Sequence, residues 1–267
     1  MDTPMVTVGI DLAGYSSTTG VCRITWERRA VVDLLPSKSD EDLLTAIKSA
    51  DKTGLDSPLG WPVDFTALLT AHFGRSKLPA KRQYAERLDG KPGLGTAHTH
   101  RLTDDFAWKL TGAGKGRPLS VSTDKLGVVA LRAAYLLERL ADGGESVPRD
   151  GSGSVAEVYP AFALIQWGLA PKETYKGKDA SGTRAKILES LEMGLDLALT
   201  DTVRARCHAS DHDLDALIAA AVARAVACGM TEPPGTNEQR AMAAVEGWIH
   251  LPRCNADLAA LRDGASS

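Results

Sequence analysis

The stretch MVTVGIDLAG, residues 5–14, determines how we interpret the fold. From Val6 to Asp11, apolar side chains alternate with small or polar ones, as in a β-strand that buries one face. The strand ends at Asp11, and a glycine-rich turn follows. Two further runs, residues 21–27 and 30–35, are rich in apolar and β-branched side chains. We therefore expect a three-stranded antiparallel meander.

The rest of the chain alternates between helical and strand patterns. The spacing of apolar residues and the capping signals predict helices over residues 39–50, 124–141, 160–168, 183–194 and 211–228, a strand ending at Asp56 and a strand over 154–160. Residues 63–123 contain basic and glycine-rich pieces without a sheet pattern. We interpret them as an insertion between strands four and five of a single domain, residues 1–267.

Composition excludes two classes of protein. The 267 residues carry a net charge of −3, with 43% hydrophobic and 24% charged residues. Such a chain is too apolar to be disordered and lacks the long uncharged runs of a membrane protein. The four cysteines form no paired motif, so a cytoplasmic location is expected. The near-neutral charge implies that any contact with nucleic acid would use local basic segments.

Four acidic residues occupy positions where a lone carboxylate is costly. Asp11, Asp56 and Glu157 lie at or near predicted strand ends, where α/β sheets open a crevice for ligands. Asp215 lies on the apolar face of the helix 211–228. Desolvated, clustered carboxylates are stabilised by a divalent cation, and oxygen ligands favour Mg²⁺ or Mn²⁺. Such ions activate water for hydrolysis at phosphorus, so these four acids are our candidate catalytic residues.

Simpler interpretations of these residues also exist. Asp11 and Asp56 could each start a turn, since aspartate is common there. His212 precedes Asp215 by three residues, so it could bind the same metal or be solvated at the start of the helix.

Short motifs along the chain point to a known family. In order, they are GIDLAG (9–14), LDSPLGWP (55–62), HRLTDD (100–105), EVYPA (157–161), YKG (175–177), DHDLDALIAA (211–220) and EGWIHLP (246–252). With these seven motifs the sequence resembles the family called domain of unknown function 429 (DUF429), whose members are predicted nucleases with a ribonuclease-H-like fold.

The resemblance implies a fold and a set of metal ligands. It implies a five-stranded mixed sheet in the order 3-2-1-4-5, flanked by helices, with strands 4 and 5 parallel to strand 1. By similarity to the wider superfamily, which includes RuvC-type junction resolvases, Asp11 and Asp56 are the acids of the first and fourth strands. His212 and Asp215 correspond to the motif of the last helix, and Glu157 to an acid that ends the fifth strand.

Three basic residues are candidates for binding nucleic acid. Arg101, in the family motif HRLTDD, could clamp a phosphate with both arms of its guanidinium. Lys176 and Arg184 would add positive charge from a later loop. A structural ion pair between Arg101 and Asp104 is the alternative.

The leading prediction is a nuclease that uses Mg²⁺ or Mn²⁺ and acts on nucleic acid, either DNA or RNA. The segment GIDLAGYSSTTG also resembles the first phosphate hairpin of actin-like proteins, so an ATPase or kinase is an alternative. A non-catalytic module that binds nucleic acid or protein is another. Metal binding would distinguish the two, since a functional carboxylate site should bind Mn²⁺ and a degenerate site should not.

Overall fold

The computed structural model describes residues 3–14, 18–37, 39–77, 98–112, 118–122, 124–254 and 257–264. Its strands are β1 (Met5–Asp11), β2 (Gly20–Trp26), β3 (Ala30–Leu34), β4 (Lys52–Asp56), β5 (Val155–Val158), β6 (Leu197–Ala198) and β7 (Ile249–His250). Its helices are α1 (Asp40–Lys48), α2 (Val63–Phe73), α3 (Leu102–Leu110), α4 (Asp124–Asp142), α5 (Pro160–Gln166), α6 (Ser181–Leu195), α7 (Asp201–Ala209), α8 (Asp211–Ala227), α9 (Asn237–Glu246) and α10 (Leu258–Asp263).

The strands form one mixed sheet in the order β6-β3-β2-β1-β4-β5-β7. The predicted meander is confirmed, because β2 runs antiparallel to both β1 and β3. The predicted parallel pairing is confirmed for β1 with β4 and for β4 with β5. The prediction of five strands was wrong, since β6 and β7 extend the two edges. Each has only two residues, too few to show the alternation by which a strand is recognised in sequence.

Helices cover both faces of the sheet. On one face, Val8, Ile10 and Leu55 pack against α1 and α4 in one apolar cluster. On the other face, the side chains of β2 and β3 pack against α5, α6, α7 and α8 in a larger cluster. Ser210 is the N-cap of α8, since its hydroxyl accepts a hydrogen bond from the Asp213 N–H.

The described part of the predicted insertion contains α2 and α3. Residues 78–97, 113–117 and 123 of that segment lie outside the described residues. The two carboxylate oxygens of Glu246 accept hydrogen bonds from the N–H groups of Val63, at 2.8 Å, and Leu102, at 2.9 Å. One buried side chain at the end of α9 thus joins the first turns of α2 and α3, and a negative charge is favourable at those N-terminal turns.

Within the described residues, no helix combines the length and the apolarity that crossing a membrane requires.

Candidate metal centre

Three glycines allow α8 to lie directly against the sheet. A Cβ atom added at Gly9 would come within 2.0 Å of the Ala216 carbonyl oxygen, and one at Gly54 within 2.4 Å of the Ala219 carbonyl oxygen. One added at Gly20 would meet the backbone of α8 in the same way. Glycine inside a strand often marks such a close approach. The first turns of α8 are therefore held against the carboxyl ends of β1 and β4.

Three of the predicted acids meet at this edge. Asp11 and Asp56 are the last residues of β1 and β4, and they are direct partners in the parallel register. Asp215, in the second turn of α8, has a side chain with no exposure to solvent. One carboxylate oxygen from each of the three lies within 4.8 Å of the others. We call Asp11, Asp56 and Asp215 the acidic triad.

Three side chains contact the triad. The Tyr175 hydroxyl donates a hydrogen bond of 2.8 Å to one oxygen of Asp215, and the Lys176 ammonium forms an ion pair with the other. The Nδ1 atom of His212 lies 2.6 Å from a carboxylate oxygen of Asp11. Among the described residues, Lys176 is the one permanent cation that contacts the triad, and His212, beside Asp11, is charged only when protonated.

Burial and mutual repulsion change the acidity of the triad. Burial, with the charges of Asp11 and Asp215, raises the pKa of Asp56 well above its ordinary value. Burial also raises the pKa of Asp215 to about 6, although Lys176 opposes the shift. The hydrogen bond to Asp11 raises the pKa of His212. Carboxylates with raised pKa values are ones that gain from a bound cation.

Arg184 holds the loop that carries Tyr175 and Lys176. It is 1% exposed, and its guanidinium donates to the carbonyl oxygens of Tyr175 and Gly177 at 2.9 and 2.6 Å. It also donates to the carbonyl oxygens of His208 and Ala209, at the end of α7. The loop is thereby fixed to the segment that leads into α8. Arg184 therefore positions Tyr175 and Lys176, and its buried guanidinium is not accessible to a phosphate.

Glu157 belongs to a second, separate group of charges. The Arg101 guanidinium forms ion pairs with Glu157, at 2.6 Å, and with Asp104, at 2.9 Å. It also donates to the backbone carbonyl of Glu246, so all five of its N–H groups are used. Arg101 and both acids are buried. We call Arg101, Asp104 and Glu157 the ion cluster.

The alternation of side chains explains why Glu157 lies apart from the triad. In the sheet register Glu157 is aligned with Leu55, and Leu55 with Ile10. Neighbours in a register point to the same face, and successive residues to opposite faces. Glu157 therefore points to the face of Leu55, whereas Asp56 points to the face of α8.

The triad has the chemistry of a site for a hard divalent cation. It offers three carboxylates, two of them partly open to solvent, and Mg²⁺ or Mn²⁺ binds to oxygen ligands of this kind. His212 is placed to assist through Asp11. Glu157 is already paired with a cation, so it does not add to this ligand set.

Sequence reasoning assigned no role to Tyr175 or to the three glycines. Tyr175 lies in the motif YKG without a predicted function, and Lys176 was expected on a phosphate, although it contacts Asp215. The role of the glycines had a weak signal, because Gly9 and Gly54 interrupt strand patterns and α8 carries many alanines. The predicted binding residues Arg101 and Arg184 are buried; Lys176, with a side chain 46% exposed, is the one of the three that reaches solvent.

The fold and the site define a mixed α/β protein with a triad of acids at the carboxyl edge of its central sheet. Over residues 9–240 the chain matches the family described as Protein of unknown function (DUF429), and it belongs to that family. No curated protein and no solved structure matches the chain.

Proposed function

We propose that this protein is a metal-dependent nuclease of ribonuclease-H-like fold, which hydrolyses phosphodiester bonds with Mg²⁺ or Mn²⁺ held by the acidic triad. The observation that carries the proposal is the approach of three carboxylate oxygens to within 4.8 Å of one another. The triad comes from β1, β4 and α8, far apart in sequence. The central strand order β3-β2-β1-β4-β5, with its antiparallel meander, supports the proposed fold.

The residues around the triad would have different roles in this hydrolysis. A divalent ion, when bound, supplies Lewis-acid activation of the phosphate and of a water molecule. Asp11, Asp56 and Asp215 hold the ion, and Lys176 adds positive charge beside the phosphate. The Nδ1 atom of His212 faces Asp11, so its Nε2 atom is the one left to donate a proton to the leaving oxygen.

Hydrolysis of labelled oligonucleotides tests the proposal. Single-stranded, duplex and branched substrates are incubated with Mg²⁺ or Mn²⁺, and the products are separated by length. Asp11→Asn and Asp215→Asn should each lower the rate by more than about 100-fold, because each weakens the charge that holds the ion. Asp142→Asn, an exposed aspartate at the end of α4, is the matched control and should retain activity. Equal rates in the wild type and both triad variants would reject the assignment.

Metal binding separates this function from a non-catalytic module. Mn²⁺ at 100 times its Kd should stabilise the folded protein by about 2.7 kcal/mol, measured as a rise in Tm. Asp11→Asn should abolish the rise. A Mn²⁺-dependent rise without cleavage of any substrate would show that the site binds metal but is not a nuclease.

A further inference from the structure

A cavity lies beside the acidic triad and extends beyond the space that a metal ion would fill. Its volume is about 300 Å³, and its lining includes Asp11, Asp56 and Lys176. The larger part of the lining is apolar and comes from several elements: Leu12, Pro58, Leu119, Leu126, Val129, Val158, Tyr159, Ala161 and Ile249. Both the triad and the ion cluster border this space.

We propose that this cavity receives the base of an unpaired nucleotide whose phosphate lies at the acidic triad. The inference rests on the proposed function and names its substrate class, which is single-stranded nucleic acid.

The chemistry of the lining excludes the phosphate itself. The acids that border the cavity would repel a phosphate that is not paired with a cation, so the phosphate belongs at the metal. An apolar cavity with a few polar groups at its border can bind a flat apolar ring that has hydrogen-bonding groups along its edge. The base of a nucleotide is such a group, and its sugar links it to the phosphate over a short distance.

The size of the cavity favours one base. A volume of about 300 Å³ lies at the lower end of the range for ligand sites, and a single base is a small flat ring system. A base in a duplex would have to leave its stack at a cost of about a few kcal/mol, so an unpaired strand binds more readily.

An aromatic wall is already in position. The ring of Tyr159 is partly exposed and stacks on Phe162, with centroids 4.3 Å apart and planes 13° apart. A ring held in this way loses little freedom when a base stacks on its open side, and stacking tolerates any base.

The placement of basic residues agrees with recognition of a base. Of the three residues predicted to bind phosphates, Arg101 and Arg184 are buried and fully engaged with internal partners. A binding mode that depends on many backbone phosphates would therefore lack the two contacts predicted for Arg101 and Arg184. A base in the cavity supplies affinity that does not depend on them.

Binding of defined oligonucleotides tests the inference. Fluorescence anisotropy in Ca²⁺ compares a labelled strand of thymidines with a strand of equal length that lacks the bases, and with a duplex. We expect the thymidine strand to bind about tenfold more tightly than the abasic strand, the gain expected of one stacked base. A ribose version of the strand reports whether the sugar matters.

Two cavity variants and a matched control complete the experiment. Val129→Phe, on α4, and Ala161→Leu, on α5, fill the cavity from two sides and should reduce the tenfold preference to about none. Leu131→Phe, also on α4 but exposed, should keep it. Tm values identify a variant that fails to fold, in which case the other variant decides.

The inference and the proposed function can fail separately. Equal binding of the thymidine and abasic strands, or an undiminished preference in a folded cavity variant, overturns the inference. Mn²⁺-dependent cleavage of both strands at equal rates overturns the inference and leaves the nuclease proposal standing. A base-dependent affinity without cleavage overturns the nuclease proposal and leaves the cavity as a binding site for a base.

Discussion

Two groups of buried carboxylates border one cavity, and the protein neutralises them differently. In the ion cluster, the five N–H groups of Arg101 serve Asp104, Glu157 and one backbone carbonyl. In the acidic triad, the described residues supply one permanent cation, Lys176, which pairs with Asp215. A cluster of acids is thus not in itself a metal site. What distinguishes the triad is the shortage of fixed positive charge.

The largest expected effect comes from removing the cation of the ion cluster. Arg101→Met leaves Asp104 and Glu157 buried without their cation, so the free energy of unfolding should fall by about 3–5 kcal/mol. Urea unfolding in EDTA, followed by circular dichroism, measures the loss. Arg139→Met breaks an exposed pair with Glu41 and should cost less than about 1 kcal/mol. Losses of equal size in the two variants would contradict the expected difference between a buried and an exposed ion pair.

A smaller effect is expected from pH on the metal-free triad. Burial raises the pKa of Asp215 from 3.8 to about 6, so between these values the folded state holds a proton that the unfolded state has lost. Stability must therefore fall as pH rises through this window, and stay lower above it. Asp215→Asn should remove a pH-dependent loss on the order of 1–3 kcal/mol.

Unfolding in EDTA at intervals from pH 4 to 7.5 measures this difference. Asp211→Asn, the control on the same helix, should keep the wild-type slope. A steeper fall in the Asp215→Asn variant would show that the buried carboxyl group is not the source.

The smallest effect concerns the cation of the triad. Lys176 competes with a divalent ion for Asp215, so Lys176→Met should bind Mn²⁺ about tenfold more tightly, a Coulomb effect reduced by partial exposure. Isothermal titration calorimetry gives both affinities. Lys178→Met, exposed and two residues further along, should leave the affinity unchanged. Weaker binding in Lys176→Met would mean that Lys176 helps to assemble the site.

Much of the fold could be predicted from local patterns. The meander, the strand that ends at Asp56 and the long helix α8 each carry a strong period or a capping residue. The edge strands β6 and β7 could not, because two residues form a strand only through the neighbour with which they pair. The order 3-2-1-4-5 was expected from the resemblance to the family, and it lies intact within the seven strands.

The candidate site could be predicted in part. Asp11 and Asp56 were recognisable because each ends a predicted strand, and Asp215 because it places a charge on the apolar face of a helix. Glu157 showed the same signal, yet the register turns it to the other face. Arg101 looked like a surface residue because its partner Glu157 lies 56 positions away.

The sequence by itself determined the apolar faces that are buried and the positions of the main strands and helices, because those properties depend on short-range patterns of polarity. The tertiary structure alone decided which buried charges meet. The strand register directs Glu157 and Asp56 to opposite faces of the sheet. Three glycines allow α8 to pack close enough for Asp215 to reach the strand ends. Both are long-range arrangements, set by the packing of segments that are distant in the chain.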